Sequence, residues 1–495
     1  MHTPVLNRRR GPMQVRLRHP ENAMLALVVL AIVAVVLLSE RGNRWLAACL
    51  AAPPSEPAPV RPTELTVPAV DWPSVGALGK DYLQAYLRLD TSRSEGREDA
   101  AEWLHGILSS AGIESHILDG GSGNPAVLAR LRGSGAARPV VLYSRMGTWA
   151  PDGSRWTVSP HAGQEQGGYL YGVGAISPKG DAVAHALTML VLHRLELPLQ
   201  RDIVLLAVAD DGALADAQSE VGAALARLQP EFLLGPGGGG RQALQSGEVA
   251  WMVGAFSHGS MVVRMGPERS EEEALTASAG ERLLRGVMGL QAWRPAIAAS
   301  ATNGEYFRRL TSRYPVGIRH ILALPWFWSH LIAPRLEQTY GAGPLRDSAA
   351  LLRLEPWPDD PLCPSALLQV RTVPGRSCEQ VMCELEQQVA GLDLRLQLVS
   401  FEAGREAGWD SAVFGAVERA LALEDPGAIA LPTGGAPEVG RRLSVPGVAC
   451  YGLTPFDLNA AELARALNGD ERLAVAQLAP ATQRMVRMII ELAGE

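Results

Sequence analysis

The sequence predicts an α/β fold: a mixed, mostly parallel sheet covered by helices, with a smaller α+β domain inserted in it. Three observations predict this. From Gly79 onward, short β-rich runs alternate with amphipathic helical segments. In the middle of the chain the order changes to strand, helix, strand, helix, strand. The chain then closes on one more amphipathic helix.

Taken in order, Leu83–Leu89 and Ala100–Ala111 carry apolar residues at helical spacing. Val140–Tyr143 and Ile203–Ala209 are β-rich runs bounded by polar residues or breakers, and Ala182–Leu195 between them reads as an amphipathic helix. Ser260–Met265, Ala366–Val370 and Leu394–Val399 read as strands, with helices at Glu281–Leu290 and Glu379–Ala390 between them. Pro325–Ala333 packs three aromatics into an apolar stretch that suits a core or lid helix, or a membrane- or acyl-chain-binding surface. Pro480–Ala493 reads as the closing helix, its proline in the first turn. Gly237–Gly240 reads as a flexible turn, since no GK[ST] follows to make a phosphate loop.

A chain of 495 residues suggests two or three domains, and a hydrophobic fraction of 47% is ample for a packed core. The net charge of −7 argues against nucleic acid as a partner. The five cysteines show no paired or zinc-ribbon spacing and read as small buried hydrophobes. Residues 23–39 form an uninterrupted apolar run, roughly 25 Å long as a helix. Arg8, Arg9, Arg10, Arg16 and Arg18 precede it. The positive-inside rule then places the basic tail, residues 1–22, in the cytoplasm and the folded part on the periplasmic or extracellular side of a single-pass membrane protein. A cleaved signal peptide is the rival reading, and Leu46-Ala47-Ala48-Cys49 resembles a lipoprotein box, set apart from the apolar run by Glu40, Arg41 and Arg44. Residues 40–75 read as a linker, proline-rich from Ala51 to Pro68.

The stretch Tyr171-Gly172-Val173-Gly174-Ala175-Ile176-Ser177-Pro178-Lys179-Gly180 reads as a strand end, a glycine turn and a helix start. It resembles the YGRGA-x-D-x-KG signature of the two-zinc aminoacylase/Gly-Xaa carboxypeptidase family. Further blocks follow in the family's order. They are Leu87–Ser92 (DTS), Val127–Gly133 (LVARLKG), Arg155-Trp156-Thr157 with Ser159-Pro160, Arg371–Gly375 (R-x-x-PG) and Leu467–Arg472 (HGTNER). The chain resembles most the membrane-anchored or secreted subgroup that includes N-fatty-acyl-amino-acid hydrolases. The resemblance implies a zinc-peptidase-like catalytic domain in two segments, 76–254 and 402–495. A lid or dimerisation domain at 255–401, with possible homodimers through it, is implied between them. It also implies two zincs, a metal-bridging water and a glutamate base that hydrolyse an amide beside a free carboxylate.

Position by position, this chain departs from that chemistry. Arg145 takes the place of the first ligand His, and Gly147 that of its orienting Asp. Ser177 replaces the bridging Asp. Asp210-Asp211-Gly212 replaces the family's Asp-Glu-Glu, so Asp211 is a shortened base and the ligand Glu is lost. Gly235–Gly238 holds no carboxylate, Leu467 replaces the last ligand His, and no His follows His330. A pair of dications needs roughly five or six anionic or imidazole donors. Arg145 also opposes metal: a unit charge 4 Å from a dication costs about 8 kcal/mol at an effective dielectric near 20, as an upper bound.

The expectation is therefore a non-catalytic relative with no cofactor. Its cleft, with Arg145, Ser177, Asp210, His161, Asp181 and Arg371 as candidates, would take a carboxylate-bearing small molecule or serve a protein partner. The alternative is an active hydrolase with zinc in a reduced or relocated site, His161 and Asp181 joining Asp210 or Asp211. No G-x-S-x-G supports a serine hydrolase.

Overall fold

A computed structural model describes residues 69–121, 124–243, 249–268, 277–295, 301–311, 346–425, 427–437, 440 and 443–494. The basic tail, the apolar run 23–39, most of the linker, Cys49 and Pro325–Ala333 lie outside these residues. Among the described residues no helix is long and apolar enough to cross a membrane.

Helices α1 (Trp72–Leu87) and α2 (Ser94–Ser110) come first. Asp71 caps α1 by accepting from the Ser74 amide, so the helix begins inside the stretch read as linker. The main sheet contains β1 (Glu114–Asp119), β2 (Pro125–Leu131), β3 (Val140–Arg145), β6 (Ile203–Val208), β7 (Phe232–Gly235) and β9 (Val249–Ser257). Its path runs β1-β2-β6-β3-β7, then the late strand β16 (Ala449–Gly452), then β9. Strands β6, β3, β7 and β16 are parallel and form its centre, with antiparallel strands toward the edges.

Strand β6 shows why the centre folds this way. Its sequence IVLLAV is buried throughout. Ile203, Leu205 and Ala207 face one core while Val204, Leu206 and Val208 face the other, as the two-residue period dictates. The first core is filled by α1, α2, α3 (Lys179–Leu195) and two late helices, Ala412–Ala422 and Leu478–Ala493. The second holds Val221 and Leu225 of the helix Glu220–Leu228.

The inserted α+β unit has its own four-stranded antiparallel sheet, in the order β11 (Ser348–Trp357), β12 (Asp360–Thr372), β10 (Gly259–Pro267), β13 (Leu394–Glu402). Its core joins Met261, Val263 and Leu368 of the sheet to Leu283 and Val287 of helix Ala277–Ala292 and to Val381 and Leu385 of helix Cys378–Val389. The second of these helices starts on a Ser377/Gln380 capping box. A third small sheet pairs β17 (Arg472–Ala474) with β5 (Tyr169–Tyr171) and so draws the C-terminal block onto the glycine turn.

Two readings need correction. Cys363 and Cys450 are buried as expected, but Cys383 is exposed on its helix. Gly237–Gly240 is closely packed: a Cβ on Gly237 would lie 1.9 Å from the Gly435 carbonyl oxygen, and one on Gly238 would lie 2.4 Å from that of Met252. The four glycines have positive φ and let backbone meet backbone, so close packing rather than flexibility accounts for them.

Candidate functional site

The parallel strands end together, and their carboxyl edge is where open α/β sheets place ligand sites. Arg145 ends β3, Asp210 and Asp211 follow β6, and the Gly235–Gly238 stretch follows β7. Asp211 is already occupied there. One of its oxygens accepts a hydrogen bond from the buried Tyr143 hydroxyl, and the other lies 3.7 Å from Arg145 Nη1. Burial, with the Asp211 charge beside it, holds the Tyr143 hydroxyl well above its usual range, so it stays a donor. Asp211 is thus bonded on one oxygen by Tyr143, with Arg145 in looser contact at the other, a poor arrangement for a general base. Asp210 is exposed and accepts from the Gly212 amide at 2.8 Å. The orienter position is closed: a Cβ on Gly147 would lie 2.5 Å from the Ala209 carbonyl oxygen.

Beneath this rim lies the glycine turn. Its organiser is Glu471, a buried carboxyl that accepts from the amides of Gly174 at 2.7 Å, Ile176 at 2.8 Å and Ser177 at 3.4 Å. Burial raises its pKa to about 7 against the pull of those donors. Lys179, fully buried, donates to the Leu89 carbonyl at 2.7 Å, and burial lowers it to about 8 despite the nearby Asp90 and Glu471. Asp181 is buried one turn before His185 on α3. Neither Asp181 oxygen has a partner that meets hydrogen-bond geometry, although the Ser177 hydroxyl sits close enough to oppose the shift. Burial pushes Asp181 up to about 7 and His185 down to about 4.

Of the residues singled out from sequence, the structure brings together Arg145 with Asp211, and Ser177 with Asp181. His161 joins the turn rather than the rim: its Nε2 lies 3.5 Å from Asp90, whose carboxylate also accepts from Ser92 and acts on the nearby Lys179. Arg371 lies near the end of β12, opposite Ser260 and Ser348 in the small sheet. The relocated site of His161, Asp181 and Asp210 or Asp211 is not assembled. Among the described residues no three His, Cys, Asp or Glu side chains come together to hold a metal ion. The donor set therefore does not fit the two zincs that the resemblance implies. Sequence reasoning missed Tyr143, Lys179 and Glu471 as site residues. The last two stood inside the quoted motifs, but their burial gave no local signal.

No family model and no curated protein matches this sequence. Solved structures do match. The M20 family metallo-carboxypeptidase Sso-CP2 from Sulfolobus solfataricus aligns over 83% of this chain and 98% of its own, at a TM-score of 0.58 and 15% identity. The chain has the metallopeptidase fold. Human carnosine dipeptidase 1 aligns over 86% of this chain and 99% of its own, at a TM-score of 0.55 and 13% identity. The dipeptidase Dug1p from Saccharomyces cerevisiae aligns over 85% and 97%, at 0.57 and 12%. At these identities the overlaps show the fold with its insert, and the chemistry rests on the residues described above.

Proposed function

We propose that this chain is a non-catalytic relative of the two-zinc aminoacylases and carboxypeptidases, whose cleft binds a carboxylate through Arg145. One observation carries the reading: the base position, Asp211, is held between Tyr143 and Arg145. Arg145 is 42% exposed, and its 3.7 Å contact with Asp211 is loose, so its guanidinium can still donate to a ligand carboxylate. The apolar run 23–39 anchors the chain with its N-terminus in the cytoplasm, and the insert supplies a homodimer contact.

Purification in zinc-supplemented buffer followed by metal analysis and an assay with N-acyl-amino acids tests this. The expected result is well under one zinc per chain and no amide hydrolysis. Two tightly held zincs, or turnover lost in Asp211→Ala, would restore a working hydrolase. Protease protection in membrane vesicles checks the anchor, and sedimentation at rising concentration checks the dimer.

A further inference from the structure

Gly147, two residues beyond Arg145, packs against a second arginine to which no role has been given. Arg97 is in the first turn of α2, and its stem crosses Gly147: a Cβ on that glycine would lie 3.5 Å from Arg97 Cδ. The neighbourhood is tied down. The Thr148 amide donates to the Thr91 carbonyl at 3.3 Å, and the two threonine hydroxyls lie 3.1 Å apart. The α2 start packs on the same loop, since a Cβ on Gly96 would lie 2.0 Å from the Asp90 carbonyl oxygen. Arg97 is thereby held at the segment that carries Arg145.

Its hydrogen bonding is incomplete. Arg97 Nε is buried and has no acceptor, and Nη2 reaches only the Ser94 hydroxyl at 3.2 Å. Among the described residues no carboxylate lies within ion-pairing distance of it, although Glu95, Glu98 and Asp99 share its helix and Asp210 follows the neighbouring Ala209. A buried guanidinium donor without a partner is costly, and native proteins seldom leave one unused.

We infer that Arg97 is a second anion-binding residue of this cleft, acting with Arg145 across Gly147 to hold the carboxylate of a small monoanionic ligand. The proposal rests on the reading that the cleft takes a carboxylate, and it names the second half of that site. The charge count selects a monoanion. Arg145 and Arg97 set against the single Asp211 carboxylate, which only Arg145 contacts, leave one net positive charge, and Asp210 on the exposed side disfavours more negative ligands. Guanidinium forks suit the planar geometry of a carboxylate.

The test is calorimetric titration of the full-length protein with N-acetylglycine, its neutral amide and inorganic phosphate. Wild type, Arg145→Gln, Arg97→Gln and Arg97→Lys are compared. N-Acetylglycine is expected to bind the wild type more tightly than either other probe. Arg97→Gln should weaken it about tenfold or more at unchanged melting temperature, the scale of one charge-assisted hydrogen bond. Should that variant fail to fold, Arg97→Lys, a point charge in place of a fork, is expected to weaken binding several-fold. Wild-type affinity in Arg97→Gln or Arg97→Lys, with binding lost in Arg145→Gln, overturns the assignment of Arg97 and leaves the cleft reading standing. No anion binding by the wild type removes both. Tighter binding of phosphate than of N-acetylglycine overturns the carboxylate assignment.

Discussion

The rim of the cleft and the turn beneath it differ in how their charges are kept. At the rim, Arg145 and Asp211 are partly exposed, loosely paired and replaceable. In the turn, Glu471 and Lys179 are buried and bonded to backbone. The rim carries the residues on which the proposed function rests. The turn holds the chain path and keeps the resembled family's lysine and glutamate. Exposed charges are cheap to exchange, whereas buried ones with several partners are not.

The largest expected effect would break this contrast if it failed to appear. Glu471→Ala strands two or three buried amide donors and should cost about 3–5 kcal/mol, read as a fall in the denaturation midpoint. A change below about 1 kcal/mol would mean that the turn holds itself together.

Asp181→Asn sharpens the contrast through pH. The folded-state pKa of Asp181 is raised to about 7, so the native protein binds more protons than the unfolded chain between about pH 4 and 7. Stability from this group is present at low pH and is lost as pH rises through 7. The stability of the variant minus that of wild type should therefore grow between pH 4 and 8, by on the order of 2–4 kcal/mol. Thermal melts across that range check it, and a flat difference would show that Asp181 titrates normally. Lowering of His185 to about 4 gives the opposite slope in both proteins and cancels in the comparison.

Tyr143→Phe removes the buried donor to Asp211 and should cost about 1–2 kcal/mol, measurable by urea denaturation. Arg145→Gln should change stability by no more than about 0.5 kcal/mol in the same experiment, because the pair is long and partly exposed. An Arg145 cost as large as that of Tyr143 would mean that the rim is built as firmly as the turn.

Legibility followed the same division. The helix now seen at Lys179–Leu195 and the strand at Ile203–Val208 were readable because periodicity is written in near neighbours. Strands Phe232–Gly235 and Ala449–Gly452 were missed: they are four residues each and gain their order from pairing with one another across the chain. At the site, Arg145, Ser177 and Asp211 could be singled out by their place in the motifs. The pairing of His161 with Asp90 could not, because neither residue advertises its partner.

The sequence alone determined the α/β architecture and its insert, since side-chain type and spacing suffice for these. Tertiary structure decided what the remaining groups do. Glu471 meets Gly174 across a separation of 297 residues, and Tyr143 meets Asp211 across 68. Burial and charge act through space, so whether an ionisable group is held, orphaned or open to a ligand is settled only when distant segments pack together.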